Sequence, residues 1–136
     1  MKKQLQTRED IAFLVRTFYE KVRADQELGP FFNETITDWE GHFEKLTDFW
    51  ETSLFANRKY HGNPVTVHAE VDRKFGNRIT TNDFGIWINY WLETIDEHFE
   101  GNHAEILKEK ARRMGTHLYV SIFQSRNAND QKHKPT

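Results

Sequence analysis

Apolar residues recur along this chain at helical spacing rather than in the alternation of a strand. Ile11, Leu14, Val15, Phe18 and Val22 share one face of a 3.6-residue repeat, which predicts a helix over residues 8–25. Thr7 with Asp10 three residues on gives it a capping box, with Asp where Glu is more usual. Leu28-Gly29-Pro30 breaks the pattern and leaves Phe31-Phe32 in a turn or a single helical turn. Thr37 and Glu40 predict a second capping box. Behind them Trp39, Phe43, Leu46, Phe49, Trp50 and Leu54 mark a helix of about 38–56, with His42 at the edge of its apolar face. Gly62 interrupts the chain. Asn63 can cap and Pro64 suits the first helical position, so 64 to about 71 is expected to be a short helix carrying His68.

Residues 72–80 are expected to form a polar connection around Gly76. Thr80 or Thr81 opens a third long helix, whose Phe84, Trp87, Ile88, Trp91, Leu92, Ile95 and Phe99 make a continuous apolar face up to Gly101. Asn102 with Glu105 opens a fourth, where Leu107, Ala111, Met114, Leu118 and Ile122 face inward. After Phe123 no apolar residue exceeds alanine in size, so 124–136 is expected to be a disordered polar tail, and 1–7 a flexible N-terminus. No strand pattern or internal repeat is evident. The expectation is one all-α domain over residues 8–123.

Composition narrows the possible functions. The chain has 136 residues, enough for a single core. Its net charge of −2 gives no electrostatic case for nucleic acid or an anionic membrane as partner. With no cysteine, a disulfide framework, thiolate catalysis and thiolate metal sites are excluded, and a reducing compartment fits. MKKQLQTRED carries positive charge without an apolar run behind it, and no stretch is long and apolar enough to span a bilayer. A cytoplasmic location is therefore the default expectation. Aromatics change the picture: Phe, Trp and Tyr make up 14% of the chain, within a hydrophobic total of 37%. Either the core is built from aromatics, or a flat apolar ligand needs aromatic walls.

Polar-capable residues on the apolar faces supply candidate chemistry. Tyr19 follows Phe18 on the first helix, His42 edges the second, and Trp87 lies in the centre of the third. Each has an ordinary structural explanation, since a buried Tyr or Trp usually packs and finds one hydrogen-bond partner. His68 is more suggestive, because a metal held by one protein nitrogen needs a neutral imidazole on a rigid support. A zinc site from His61 and His68 is disfavoured: His61 lies before the break, and no HExxH pairing appears. There is no GxSxG and no Gly-rich loop opening a helix, which leaves Ser/His/Asp catalysis and phosphate loops without support.

Several motifs, in order, carry a family resemblance. They are Phe18-Tyr19-Glu20-Lys21-Val22 with Asp25; Leu28-Gly29-Pro30-Phe31-Phe32-Asn33; Trp39-x-x-His42 with Phe49-Trp50; Tyr60-x-Gly62-x-Pro64-x-x-x-His68; and Phe84-x-x-Trp87. A helix ending in Phe99-Glu100-Gly101, followed by Ala104, Lys108 and Ala111, completes the set. Over about residues 8–123 the chain resembles the truncated haemoglobins of group III. Each motif is weak alone; their order makes the match. The glycine pairs of groups I and II are absent, which agrees, and the stretch from His68 to Trp87 is longer than in some members.

The resemblance implies a two-over-two helical sandwich, the truncated globin fold, around haem b. It carries His68 onto the proximal iron ligand. His42, Leu46, Tyr19 and Trp87 take the distal side that faces the gas, and Phe32 and Phe49 line the cofactor. Arg58, Lys59, Tyr60 and Lys45 are all candidates for the propionates. The implied ligands are dioxygen, carbon monoxide and nitric oxide, with an electron donor of unknown identity. Two donors, the Tyr19 O–H and the Trp87 N–H, would make oxygen release slow, which suits redox chemistry with nitric oxide or peroxide better than transport. His42 either gates ligand entry or itself coordinates iron when gas is absent. The competing reading is a non-enzymatic gas or redox sensor acting through a partner.

Overall fold

The computed structural model describes residues 2–55, 68, 72–75 and 79–133. Its first long helix, α1, is Arg8–Ala24, and the Thr7–Asp10 capping box is formed in both directions. A one-turn helix, α2, spans Gly29–Asn33, and α3 follows at Trp39–Phe55. Here the cap differs from expectation. Helix α3 begins at Trp39, and the Asp38 carboxylate accepts from the Gly41 amide at 3.0 Å. Asp38, not Thr37, therefore sits where it can satisfy an N-terminal amide, and an ionised acceptor does this well.

Helix α4 spans Thr81–His98, with Thr80 as N-cap because Asp83 three residues on returns its bond. Helix α5 runs over Asn102–His133. It continues through 124–133, where a disordered tail is expected, and its Arg126 is tied to Asp72. Nor is the 72–80 connection simply polar: residues 72–74 are helical, and Asp72, Phe75 and Ile79 are buried. The expected helix over 64–71 lies outside the described residues except for His68, which is helical.

The N-terminus also departs from expectation. Lys3–Gln4 (β1) pairs in parallel with Phe99–Glu100 (β2), two residues on each side. Leu5 is fully buried, its carbonyl accepts from His103 Nδ1 at 2.8 Å, and Lys3 pairs with Asp10 at 2.7 Å. One apolar side chain and these three links hold residues 3–7 onto the domain. Gly101 makes the turn from β2 into α5 at φ 99°, a left-handed conformation that glycine adopts without steric cost.

Helix α1 packs on α3 and α4, and α4 packs on α5. The helices thus form two pairs, α1/α3 and α4/α5, laid one over the other. Between them runs a core in which Ile11, Leu14, Phe18, Trp91, Ile95 and Leu107 are almost fully buried. Among the described residues no helix is long and apolar enough to cross a membrane.

Candidate functional site

A cavity of about 240 Å³ opens between the two helix pairs. Its walls follow from helical spacing. Tyr19 and Phe18 come from α1, whereas His42, Leu46, Phe49 and Trp50 fall at i, i+4, i+7 and i+8 on α3. Trp87 and Trp91 are one turn apart on α4, and Met114 and Leu118 one turn apart on α5. Phe32 from α2 closes one side, and His68 lines the cavity too. All seven residues singled out from the sequence (Tyr19, Phe32, His42, Leu46, Phe49, His68 and Trp87) therefore meet at one place. His61, Arg58, Lys59 and Tyr60 lie outside the described residues.

Tyr19 is held by rings on several sides. Phe18, Phe32, Trp39, His42 and Phe43 all lie with ring centroids 5.0–5.7 Å from it. Burial raises its phenol above the ordinary value, so the hydroxyl keeps its proton throughout the physiological range. That oxygen lies 3.3 Å from His42 Nε2. His42 is pushed down to about 4, first by burial and then by the charges of Lys45 and His68. Near neutral pH the pair is thus a neutral phenol beside a neutral imidazole. The tautomer of His42 decides which of them donates. With Nε2 protonated, His42 donates to Tyr19 and leaves the phenolic O–H to point elsewhere. With Nε2 bare, Tyr19 spends its proton on His42.

Trp87 stands edge-on to Phe18, centroids 5.7 Å apart. Trp91, which the sequence marks only as part of an apolar face, proves to be a wall of the cavity. It stacks on Trp50 at 4.8 Å and 23°, and Phe18 meets it edge-on. Its position four residues after Trp87 was the available signal. Three buried side-chain polar atoms among the described residues have no hydrogen-bond partner: Thr35 Oγ1, Asp83 Oδ1 and Trp91 Nε1. All three belong to residues that line this cavity. Native cores leave few such groups, so this region is not packed as a finished core would be. Among the described residues no group of three or more His, Cys, Asp or Glu is arranged to hold a metal ion.

Comparison with known proteins bears directly on this arrangement. No family model matches the chain. It is 27% identical over 128 residues to the group 3 truncated hemoglobin ctb of Campylobacter jejuni, covering 91% of this chain and 97% of that one. It also superposes on the crystal structure of a group III truncated hemoglobin from Campylobacter jejuni with a TM-score of 0.79, at 28% identity, covering 90% and 95% of the two chains. The chain is similar to the group III truncated haemoglobins over most of its length. It has the truncated globin fold, as the resemblance in the sequence implies, and α1/α3 over α4/α5 is its two-over-two sandwich. In that truncated globin frame the cavity lies between the two helix pairs, walled chiefly by aromatic side chains.

Proposed function

We propose that the chain is a haem-binding, oxygen-binding globin whose pocket holds its gas tightly and suits redox chemistry on it. The observation that carries this reading is the meeting of His68, His42, Tyr19 and Trp87 in one apolar cavity. The residues present fit the group. Aromatic walls suit a flat macrocycle, and the unpartnered polar atoms on those walls mark a space that protein side chains do not complete. His68 would ligate the iron of haem b, and Phe32 and Phe49 would pack on the macrocycle. Lys45, near enough to His42 to affect its charge, is a candidate partner for a propionate. When bound, haem supplies a position open to dioxygen, carbon monoxide or nitric oxide.

The chain's own contribution is hydrogen bonding. The Tyr19 phenol and the Trp87 indole N–H would each be able to donate a hydrogen bond to a dioxygen that carries partial negative charge in this cavity. Each bond contributes about 1–2 kcal/mol in a dry pocket, so the two together slow release roughly 30- to 1000-fold. Carbon monoxide is less polar and gains less. His42 tunes this by competing for the Tyr19 proton, and only its Nε2–H tautomer leaves that proton for the ligand. A protein with these donors is a poor carrier and fits turnover of nitric oxide or peroxide, with electrons from a separate donor.

Two measurements test the reading. A Soret band in purified protein is expected, and its absence after addition of haem would sink the proposal. Stopped-flow oxygen release should speed up about 5- to 30-fold in Tyr19→Phe and, separately, in Trp87→Phe. Unchanged rates in both variants would remove the two-donor pocket.

A further inference from the structure

We propose that Arg126, outside the cavity on the far end of α5, is a positioning residue that fixes the His68 side of the pocket through Asp72. The inference rests on the reading of His68 as the iron ligand. Arg126 Nε donates to Asp72 Oδ2 at 2.8 Å, and Arg126 Nη2 donates to Asp72 Oδ1 at 2.6 Å and to the Ile79 carbonyl at 2.6 Å. Asp72 Oδ1 also accepts from the Ile79 amide at 3.1 Å. One guanidinium–carboxylate pair thereby gathers three points of the chain: 72, 79 and 126. One of them lies near His68 in the chain, and another lines the cavity. Asp72 follows His68 by four residues, both positions helical, and Ile79 is itself a lining residue.

The pair is built for position rather than for stickiness. The Asp72 side chain is 2% exposed and that of Arg126 22%, so the carboxylate is out of water and needs its fork-shaped partner. The same segment is also held by α2 and the turn after it. Lys74 Nζ donates to the Glu34 carbonyl at 3.0 Å, and Phe75 meets Phe31 edge-on at 4.9 Å. Residues 72–75, which begin four positions after His68 in the chain, are thus gripped from the α2 end and from α5. Of these grips, Arg126 makes the one that reaches a buried charge. It lies four residues past Ile122, the last buried apolar residue of α5 among those described, which gives that helix a reason to continue there.

The experiment reads two independent signals. In haem-free protein, hydrogen exchange at the Ile79 amide, which donates to Asp72, should quicken at least about tenfold in Arg126→Gln while amides of α1 keep the parent's rates. Arg126→Lys keeps the charge without the fork. It should fold even if Arg126→Gln does not, and should exchange at an intermediate rate. In haem-loaded ferrous protein, the iron–histidine stretching band of Arg126→Gln should shift or broaden, with partial recovery in Arg126→Lys. An unchanged Ile79 rate in both variants would overturn the latch, and a quickened rate with an unaltered band would overturn the positioning role. A chain that takes up no haem defeats the haem reading and, with it, the positioning role, while the exchange result still decides whether the latch exists.

Discussion

The two sides of the cavity are held by different forces. Around Tyr19 the positioning is apolar: five rings surround one phenol, and a stacked Trp50–Trp91 pair backs them. Around His68 it is polar: Asp72 is forked by Arg126, and Lys74 reaches a carbonyl of the turn after α2. Ring packing is non-directional and collective, so losing one contact is shared among many. A buried ion pair is directional and all-or-none, because removing one partner leaves the other uncompensated. The donor side should therefore degrade gradually under mutation and the histidine side abruptly.

The largest expected effect breaks the cavity on its abrupt side. His68→Ala should abolish stable five-coordinate ferrous haem, whereas His42→Ala should keep haem bound. Absorbance of the two purified variants in the ferrous state separates the roles. If both retained the parent's haem and coordination, the division of the cavity into a ligating and a donor side would be wrong.

Next in size is a test of the apolar side. Trp91→Ala removes a side chain that is 1% exposed and stacks on Trp50, and should cost about 3–5 kcal/mol in urea unfolding of the haem-free chain. Trp91→Phe keeps a smaller aromatic ring against Trp50 and loses an N–H that has no partner in the structure, so its cost should be clearly below that of Trp91→Ala. Equal losses in the two variants would mean that a phenyl ring recovers none of the indole's hold, and that stacking on Trp50 is not what this wall depends on.

This contrast also explains what the sequence revealed and what it hid. The long helices, and the places of Tyr19, His42, Leu46 and Trp87 on or beside their apolar faces, could be read from spacing, while the grouping of these residues into one site came from the family resemblance. The Thr7–Asp10 cap could be read for the same local reason, and the start of α4 could be narrowed to Thr80 or Thr81, of which Thr80 is the cap. At the start of α3 the expected Thr37 cap was displaced by the adjacent Asp38. Arg126 could not be found this way, since its partner lies 54 residues away and nothing periodic connects them. Leu5 was hidden similarly: its burial depends on β1 meeting β2, a pairing too short to leave an alternating pattern. Apolar positioning writes itself into the local sequence, and long-range polar positioning does not.

A smaller effect sharpens the comparison through pH. His42 titrates near 4 in the folded chain against an ordinary value of about 6.5 when unfolded. The unfolded chain thus binds the proton first. Stability from keeping this imidazole neutral is complete above pH 6.5 and is lost as pH falls through the folded value. Because His42 is only partly buried, the loss should be about 2 kcal/mol rather than the full shift. In urea unfolding of the haem-free proteins, the parent should lose that much more stability than His42→Leu between pH 7 and pH 4. Parallel curves would show that the imidazole is not desolvated as its position implies.

The smallest effect concerns an ion pair of the opposite kind to Asp72–Arg126. Arg16 forks Glu40 at 3.0 and 2.6 Å, linking α1 to the start of α3, and its guanidinium stands 5.0 Å above the Phe43 ring. Its geometry is as good as that of the buried pair, but both side chains are open to solvent, 49% and 73% exposed. Water and salt screen the attraction, and ordering two long side chains cancels much of what remains. Arg16→Gln should therefore leave the urea midpoint at the parent's value in 0.15 M salt, while Arg126→Gln lowers it. If Arg16→Gln lowered it as far, hydrogen-bond geometry rather than burial would be what gives an ion pair its hold in this fold.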